Sequence, residues 1–445
     1  MTGLGNGETT AADHAMVADH FTGLQLRAAL FCFLLFVVDG ADVLVVSYAA
    51  PALAADWALS PDRLGIVFSA GLAGMTLGAL VLAPQSDRYG RKTLILVALA
   101  LVGLAMIASG FAGSINRLIL LRFAAGLGIG SMLASITALG AEFAPPRHRA
   151  FLVTFATGGY PVGAILSGIA ATYVIPAWGW RGLFVGAGVV SLILFPLALV
   201  LLPESLSFLA ERRPRRALER INRMRAAMRL PALETLVAGT GEAARAGVSA
   251  LLAPRRRTIT VMIWGTFFFT FLTLYFLTSW IPKIAADAGL SPGQAIYAGA
   301  AFNFGALLGV ILLGWLASRL SLSRTIAWFF AGAPLAMLAF AYFHEPLSLL
   351  FVELVVMGFF IQGGFGGLYA VAARAYPTAI RTTGVGWGLG AGRFGAIFGP
   401  LLGGLVLGAG ATLQTTFLIF ALPMIVAGLL IWRLGDATPV EAHSS

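Results

Sequence analysis

The chain has 445 residues, of which 59 % are hydrophobic and only 11 % are charged. Because soluble domains carry about 25 % charged residues, this composition excludes an ordinary soluble protein and predicts a polytopic membrane protein. The net charge of +10 does not indicate nucleic-acid binding, since the arginines lie in polar segments between apolar stretches, where Lys and Arg set membrane orientation.

The N-terminal segment is polar and rich in Gly and Thr, and no basic stretch precedes a short apolar core. We therefore predict a disordered cytoplasmic tail over 1–25 rather than a cleaved signal peptide. After the tail, twelve stretches approach or exceed the roughly 20 apolar residues that one membrane span needs. The predicted spans are 26–50, 64–84, 93–113, 117–141, 150–175, 181–202, 258–281, 293–317, 323–343, 347–372, 382–408 and 411–433.

Two aspartates, Asp39 and Asp42, lie inside the first predicted span. Their spacing of three places them on one face of a helix, and an acid within a span normally faces the bundle interior or a water-filled cavity. Two buried carboxylates so close together do not both ionise easily. The pair is therefore a candidate proton carrier, and the alternative is structural neutralisation by arginines of neighbouring helices.

The second span ends in the polar loop Ser86–Lys92, in which Gly90 permits a tight turn. Asp87 can accept hydrogen bonds from arginines or helix-end amides and so hold a cytoplasmic gate shut. The alternative is a basic turn that only sets topology. The loop resembles the signature loop of the major facilitator superfamily. That resemblance implies an all-α membrane protein with twelve transmembrane helices in two six-helix bundles related by pseudo-two-fold symmetry.

The fourth span contains Arg122 and three following glycines that allow close helix packing, and it resembles the second motif of the same superfamily. At 1.5 Å per residue, Arg122 lies at a depth similar to that of Asp42. We therefore predict that Arg122 pairs with Asp42 or Asp39 and that a proton competes with this pairing. A permanent structural ion pair is the alternative.

The one long polar segment, 203–257, is rich in arginine and is predicted to form a linker with amphipathic surface helices. It separates an N-terminal bundle (26–202) from a C-terminal bundle (258–433), which a tail at 434–445 follows. Lys and Arg are concentrated after the even-numbered spans, which predicts that both termini are cytoplasmic.

The two halves carry related loops. Ser86–Arg88 of the first half corresponds to Ala317–Arg319 of the second half, in which Ser318 replaces the aspartate. Glu142–Arg149 likewise corresponds to Arg374–Arg381. A duplicated half is typical of transporters, with the substrate site near the midplane between the halves. The predicted gating residues in these loops are Asp87, Arg88, Arg91, Glu142, Arg149 and Arg381.

A narrower resemblance begins at Asp39-Gly-Ala-Asp42, which is similar to the Asp-Gly-x-Asp pattern in the first span of the aromatic acid:proton symporters. Matches continue through nearly all spans, including Phe302–Gly305, Gly363–Ala370, Tyr376–Trp387 and Gly392–Pro400. The resemblance implies proton-coupled uptake of a small benzoate-like or hydroxybenzoate-like carboxylate by alternating access. Phe365 stands where the family often has Gln, and Gln362 replaces a frequent Asn, so the pocket is expected to differ.

Arg393 lies near the middle of the eleventh span, where a guanidinium is costly unless it meets an anion. Its planar fork can hold a carboxylate, and the alternative is a permanent partnership with Asp39. Amides in spans seek hydrogen-bond partners, so Asn303 and Gln362 are candidates for orienting ring hydroxyls. The aromatic candidates for the substrate site are Tyr160, Tyr275 and Trp387.

No Cys/His cluster has metal-ligand spacing, and no phosphate-binding Gly-Lys-Ser/Thr loop is present. We therefore expect no metal, no cofactor and no enzyme activity. The expected partners are a small organic anion, a proton and the lipid bilayer of a bacterial inner membrane, and the protein is expected to be a monomer. The alternatives are a proton symporter of a non-aromatic organic acid and a drug or metabolite antiporter. The fifth span lacks the Gly-x-x-x-Gly-Pro pattern of such antiporters.

Overall fold

In the computed structural model the described residues are 16–236, 248–254, 256–317, 319–343 and 346–435. Four sequence-based predictions lie wholly or partly outside these ranges. They concern 1–15 of the N-terminal tail, 237–247 and 255 of the linker, Ser318 of the second-half loop, and the C-terminal tail from 436 onward. All regular secondary structure in the described ranges is helical.

The described part of the N-terminal half contains nine α-helices. They are α1 Gly23–Trp57, α2 Pro61–Leu77, α3 Ser86–Tyr89, α4 Arg91–Gly110, α5 Ile115–Phe143, α6 Arg149–Thr157, α7 Gly159–Leu201, α8 Leu206–Arg212 and α9 Ala217–Ala227. A π-helical turn and a 3-10 turn, over Gly78–Leu82 and Ala83–Gln85, join α2 to α3. The start of α1 is capped by Gln25, whose Oε1 accepts a hydrogen bond from the Thr22 backbone amide at 3.0 Å.

Six further α-helices lie in the C-terminal half, counted over the residues that the structure describes. They are α10 Arg257–Asp287, α11 Pro292–Ala317, α12 Leu322–Phe343, α13 Leu347–Ala375, α14 Thr378–Gly408 and α15 Leu413–Leu434. Helix α10 packs most closely on α14, α11 on α13, and α12 on α15. Glycine makes the α11–α13 contact possible, because a side chain at Gly305 would overlap the Val355 carbonyl and one at Gly358 would overlap the Phe302 carbonyl.

Eleven helical segments in the described part of the chain are long and apolar enough to cross a membrane. One of them, Phe151–Leu201, has 51 residues and is twice as long as a single span requires. Its backbone turns at Gly179, where φ is +66°, in the left-handed region that glycine tolerates. This segment therefore accounts for the fifth and sixth of the twelve predicted spans.

The linker after the sixth span folds into α8 and α9. Leu206, Leu209 and Ile221 of these helices join a buried apolar cluster with Val17, Phe31 and other residues of the N-terminal half. The apolar faces of the two linker helices therefore pack against protein. Arg212, Arg220 and Arg223 are exposed. Arg225 is buried, and its Nε donates to the Pro231 carbonyl at 2.8 Å.

By contacts, the chain forms two compact units. The first contains the described residues of Met1–Val43, Gly74–Leu166 and Phe184–Glu242, and the second those of Leu44–Ala73, Ser167–Leu183 and Ala243–Ser445. The acidic pair of α1 belongs to the first unit, and α10 to α15 belong to the second. The sequence-based halves 26–202 and 258–433 stay a prediction.

Candidate functional sites

The acidic pair lies in the interior of the first unit, where Asp39 and Asp42 are each only 1 % exposed. The Oδ2 atom of Asp42 is 3.0 Å from the Ser191 hydroxyl on α7, whereas Oδ1 of Asp42 has no hydrogen-bond partner among the described residues. Gly40, between the two acids, lets the main chain of Tyr160 approach α1 closely. The second half of α7 thus supplies a polar contact to the acid that the sequence did not predict.

Arg122 comes to the same place from α5 and is 3 % exposed. Its Nη1 atom donates to the Met106 sulfur at 2.9 Å, and its Nη2 atom donates to the main-chain oxygen of Asp42 at 3.3 Å. The guanidinium carbon lies 5.7 Å from the centre of the Phe184 ring. No ion pair joins Arg122 to the Asp42 carboxylate in the described ranges. Arg122 and Asp42 are therefore neighbours, and the contact between them goes through the main-chain oxygen of Asp42. The pairing of Arg122 with one of the two acids stays a prediction.

The signature loop is held by a second cluster in the first unit. Arg91 pairs with Glu142, whose Oε1 atom also accepts hydrogen bonds from Ser205 at 3.0 Å and Ser207 at 2.5 Å. The two predicted gating residues therefore meet, and the two serines were missed because they lie in the linker. Of the other predicted gating residues, Arg88 lies 5.3 Å from the centre of the Tyr89 ring, and Arg149 is exposed at the start of α6.

Glu204 was also missed by the sequence analysis. Its Oε1 atom accepts a hydrogen bond from the Lys92 backbone amide at 3.0 Å and from the Ser205 amide at 2.9 Å. It packs on Gly90, whose φ of +98° starts α4 directly after the tight turn. Nearby, the Arg212 Nε donates to the Asp87 carbonyl at 3.1 Å. An acid directly after a Pro at the end of the sixth span is the signal that could have indicated this role.

The loop before α14, in the second unit, contains Arg381 and corresponds in sequence to the Glu142–Arg149 loop of the N-terminal half. Arg381 Nε donates to the Tyr376 carbonyl at 3.5 Å, and the Tyr376 hydroxyl donates to Thr260 at 3.2 Å. Burial raises the pKa of Tyr376, which keeps the phenol a neutral donor. Arg381 therefore stabilises the entry into α14 through main-chain contact.

In the second unit, Arg393 projects from α14 and is half-buried. Its Nη1 atom is enclosed and has no hydrogen-bond partner among the described residues. Its charge acts electrostatically on Tyr369 of α13. The neighbouring Gly392 leaves room for the Phe271 ring, which a side chain at that position would meet at 2.9 Å. A buried donor without a partner next to aromatic rings is suited to an external anion.

Four aromatic rings form a closed set between α10 and α13, and one of them is the ring of Tyr369. Phe267 and Phe271 of α10 face Phe365 and Tyr369 of α13, and successive ring centres are 5.0 to 6.2 Å apart. Tyr275 extends the set by stacking on Phe271 at 5.6 Å. Offset and edge contacts at these distances are the preferred geometry of aromatic pairs. Tyr275, whose role in substrate binding stays a prediction, therefore lies in an aromatic cluster with Phe267 and Tyr369, which were not predicted from the sequence.

The predicted amide pair is also in the second unit. The Gln362 Nε2 donates to the Asn303 Oδ1 at 3.5 Å, and the Asn303 Nδ2 donates to the Gly299 carbonyl at 2.9 Å. Gln362 precedes Phe365 and Tyr369 on α13 by three and seven residues, so all three lie on one helix face. Gln362, which is hydrogen-bonded to Asn303 of α11, therefore lies on the face of α13 that carries Phe365 and Tyr369.

Two further predicted substrate residues have other neighbours within their own units. Trp387 is 46 % exposed and stacks on Trp264, with ring centres 5.8 Å apart. Tyr160 is half-buried and packs against the apolar core of the first unit. Among the described residues, no group of three or more His, Cys, Asp or Glu side chains is placed to hold a metal ion.

Comparisons with known proteins agree with this architecture. The family profile described as Major Facilitator Superfamily matches residues 31–291 and 263–445. The chain is 36 % identical to a gallate transporter of Pseudomonas putida, over 93 % of this chain and 92 % of the relative. It is 34 % identical to a 4-hydroxybenzoate transporter of Acinetobacter baylyi, over 92 % and 90 %. The fold is similar to that of the inward-open xylose transporter of E. coli, with a TM-score of 0.72 at 16 % identity, covering 95 % of this chain and 98 % of that one.

Proposed function

We propose, from the premise that this chain belongs to the Major Facilitator Superfamily, that it takes up small aromatic carboxylates together with protons. The protein is a multi-pass membrane transporter and not an enzyme. Relatives named for gallate and 4-hydroxybenzoate align with it over nine-tenths of its length, which supports aromatic carboxylates as the substrate class. The proposed location is a bacterial inner membrane, with both termini cytoplasmic and the monomer as the working unit.

Arg393 is the proposed contact for the substrate carboxylate. The observation that carries this assignment is its enclosed Nη1 donor, which has no hydrogen-bond partner in the described ranges. The preceding residue, Gly392, packs on the Phe271 ring. A carboxylate accepts the two parallel hydrogen bonds of a guanidinium fork. The rings of Phe271 and Phe365 offer apolar surface for the substrate ring, and Asn303 and Gln362 offer hydrogen bonds to its substituents.

Asp39, Asp42 and Arg122 are the proposed proton-coupling group. Their burial makes the neutral acid and the ionised acid very different in energy, so gain and loss of a proton can bias a conformational equilibrium. Protonation would release Arg122 from the carboxylate and permit alternating access with the anion bound at Arg393. The signature-loop cluster around Glu142 would stabilise one end state of that cycle.

Uptake of radiolabelled 4-hydroxybenzoate by proteoliposomes tests the proposal. We expect an imposed inside-alkaline pH gradient to drive accumulation, a protonophore to abolish it, and benzoate and gallate to compete better than cyclohexanecarboxylate or succinate. Asp39→Asn should lose accumulation but keep exchange of bound substrate, whereas Asp287→Asn, at the exposed end of α10, should behave like the parent. Uptake driven by sodium instead, or competition only by aliphatic acids, would contradict the proposal.

A further inference from the structure

The Ser191 hydroxyl has two neighbours that compete for its single hydrogen. It lies 3.0 Å from Oδ2 of Asp42 and 3.1 Å from the main-chain oxygen of Ala187. A hydroxyl carries one donor hydrogen and can also accept. When Asp42 is a neutral acid, its own O–H can donate to Ser191 while Ser191 donates to Ala187. When Asp42 is ionised, Ser191 can turn its hydrogen to the carboxylate, so one rotation about the C–O bond suits both states.

The Arg122 guanidinium likewise has a partner that an ionised Asp42 would displace. In this structure it donates to the Met106 sulfur at 2.9 Å and to the main-chain oxygen of Asp42 at 3.3 Å. The thioether is a weak acceptor, much weaker than a carboxylate. An ionised Asp42 carboxylate would therefore draw the guanidinium away from Met106. The observed contacts fit the neutral form of the acid.

We infer that Ser191 and Met106 are positioning residues of the proton site, with Ser191 stabilising ionised Asp42 and Met106 holding Arg122 while Asp42 is neutral. The inference rests on the proposed proton coupling. The reaction is the addition of one proton to the Asp42 carboxylate from water on one side of the membrane and its release to the other side. The charged groups that share this site are Asp39 on the same helix and Arg122 from α5.

Substitutions at Ser191 and Met106 are expected to shift the pH of half-maximal transport in opposite directions. Ser191→Ala removes a donor to the ionised acid, and hydrogen bonds to charged groups are the stronger ones, so the proton stays bound to higher pH. The midpoint should therefore rise, by about 0.5 to 1 pH unit. Met106→Leu removes the resting acceptor of the guanidinium, which then turns more often to the carboxylate. That change favours the ionised acid and should lower the midpoint.

The experiment measures initial uptake of 4-hydroxybenzoate against external pH in proteoliposomes of each variant. Ser191→Thr restores a hydroxyl and should return the midpoint to that of the parent. The matched control is Ser109→Ala, because Ser109 on α4 is fully buried and its hydroxyl donates to the carbonyl four residues earlier, at 2.7 Å, rather than to a carboxylate. Met132→Leu, at a fully buried position of α5, is the control for Met106→Leu. Neither control should shift the midpoint.

A parental midpoint in Ser191→Ala, or shifts of the same sign in Ser191→Ala and Met106→Leu, would overturn the inference. If Ser191→Ala fails to fold, Ser191→Cys keeps the size with a weaker donor and must give a smaller rise in the midpoint. A parent protein whose uptake ignores the pH gradient would instead contradict the proposed function. The two failures are therefore distinguishable in one series of measurements.

Discussion

Two arginines in membrane helices have unlike surroundings, and the difference separates their roles. Arg122 is enclosed by a sulfur, a main-chain oxygen and an aromatic ring. Arg393 has an enclosed Nη1 donor without a protein partner among the described residues. Because a buried donor without a partner loses its hydration without compensation, Arg393 gains more from an external anion than Arg122 does. At the scale of the residue, Arg393 is the better candidate for the carboxylate contact.

Arg393→Ala should therefore weaken binding of 4-hydroxybenzoate at least thirtyfold, since losing one partner of a desolvated charge pair costs about 2–5 kcal/mol. Arg393→Lys keeps the charge without the planar fork and should fall between the parent and Arg393→Ala. Titration calorimetry on purified protein measures the affinities, with Arg433→Ala at the exposed end of α15 as the control. Parental affinity in Arg393→Ala would move the search for the carboxylate site to Arg122.

At the scale of the element, the start of α4 depends on Glu204, which follows the C-terminal end of α7. The first amides of a helix lack intrahelical acceptors, and a carboxylate placed there satisfies them and interacts favourably with the helix dipole. Glu204 does this for Lys92, and the turn at Gly90 brings the helix start to the carboxylate. The pair of Arg91 with Glu142 adds a second connection to the same helix start. The signature loop is therefore a helix cap built from distant parts of the chain.

Glu204→Ala should lower the free energy of unfolding of the first unit by about 1–2 kcal/mol, because it removes the acceptor of a helix-start amide. Glu204→Gln keeps an oxygen acceptor and should lose less. Thermal unfolding in detergent measures both variants, with the exposed Glu211→Ala as the control. Equal unfolding temperatures for Glu204→Ala and Glu211→Ala would show that the cap contributes nothing to stability.

At the scale of the whole molecule, orientation is expected to follow from charge. Lys and Arg follow the even-numbered spans along the entire chain, and such loops stay on the cytoplasmic side. The kink at Gly179 preserves this alternation, because it converts the 51-residue helical segment into two spans rather than one. If this segment crossed the membrane only once, every later loop would lie on the opposite side of the membrane.

Reporter fusions test this orientation. Alkaline phosphatase needs disulfides and is active only outside the cytoplasm, so a fusion after Ser445 should be inactive and a truncated fusion after Gly113 should be active. A fluorescent-protein fusion after Ser445 should fluoresce, which confirms that the inactive fusion is expressed. Phosphatase activity at Ser445 would reverse the predicted orientation.

The sequence by itself determined the class of the protein, the number of spans and the charged residues of both candidate sites. Apolar segments of span length are recognisable in a sequence, and so are charged residues within them, because each polar or charged group inside the membrane costs free energy. For this reason Asp39, Asp42, Arg122 and Arg393 could be selected before any contact was known. The even spacing of basic loops and the repeated loop motifs needed no tertiary information either.

Only the tertiary structure decided which ordinary residues complete those sites. Ser191 meets Asp42 across 149 positions of the chain, and Glu204 meets Lys92 across 112. Serine and methionine are common in apolar helices, so nothing local distinguishes Ser191 or Met106 from their neighbours. The same limit applies to aromatic residues. Helix packing turned Trp387 toward Trp264 and joined Phe267 to Tyr369, because ring contacts depend on the helix face and its partner rather than on residue type.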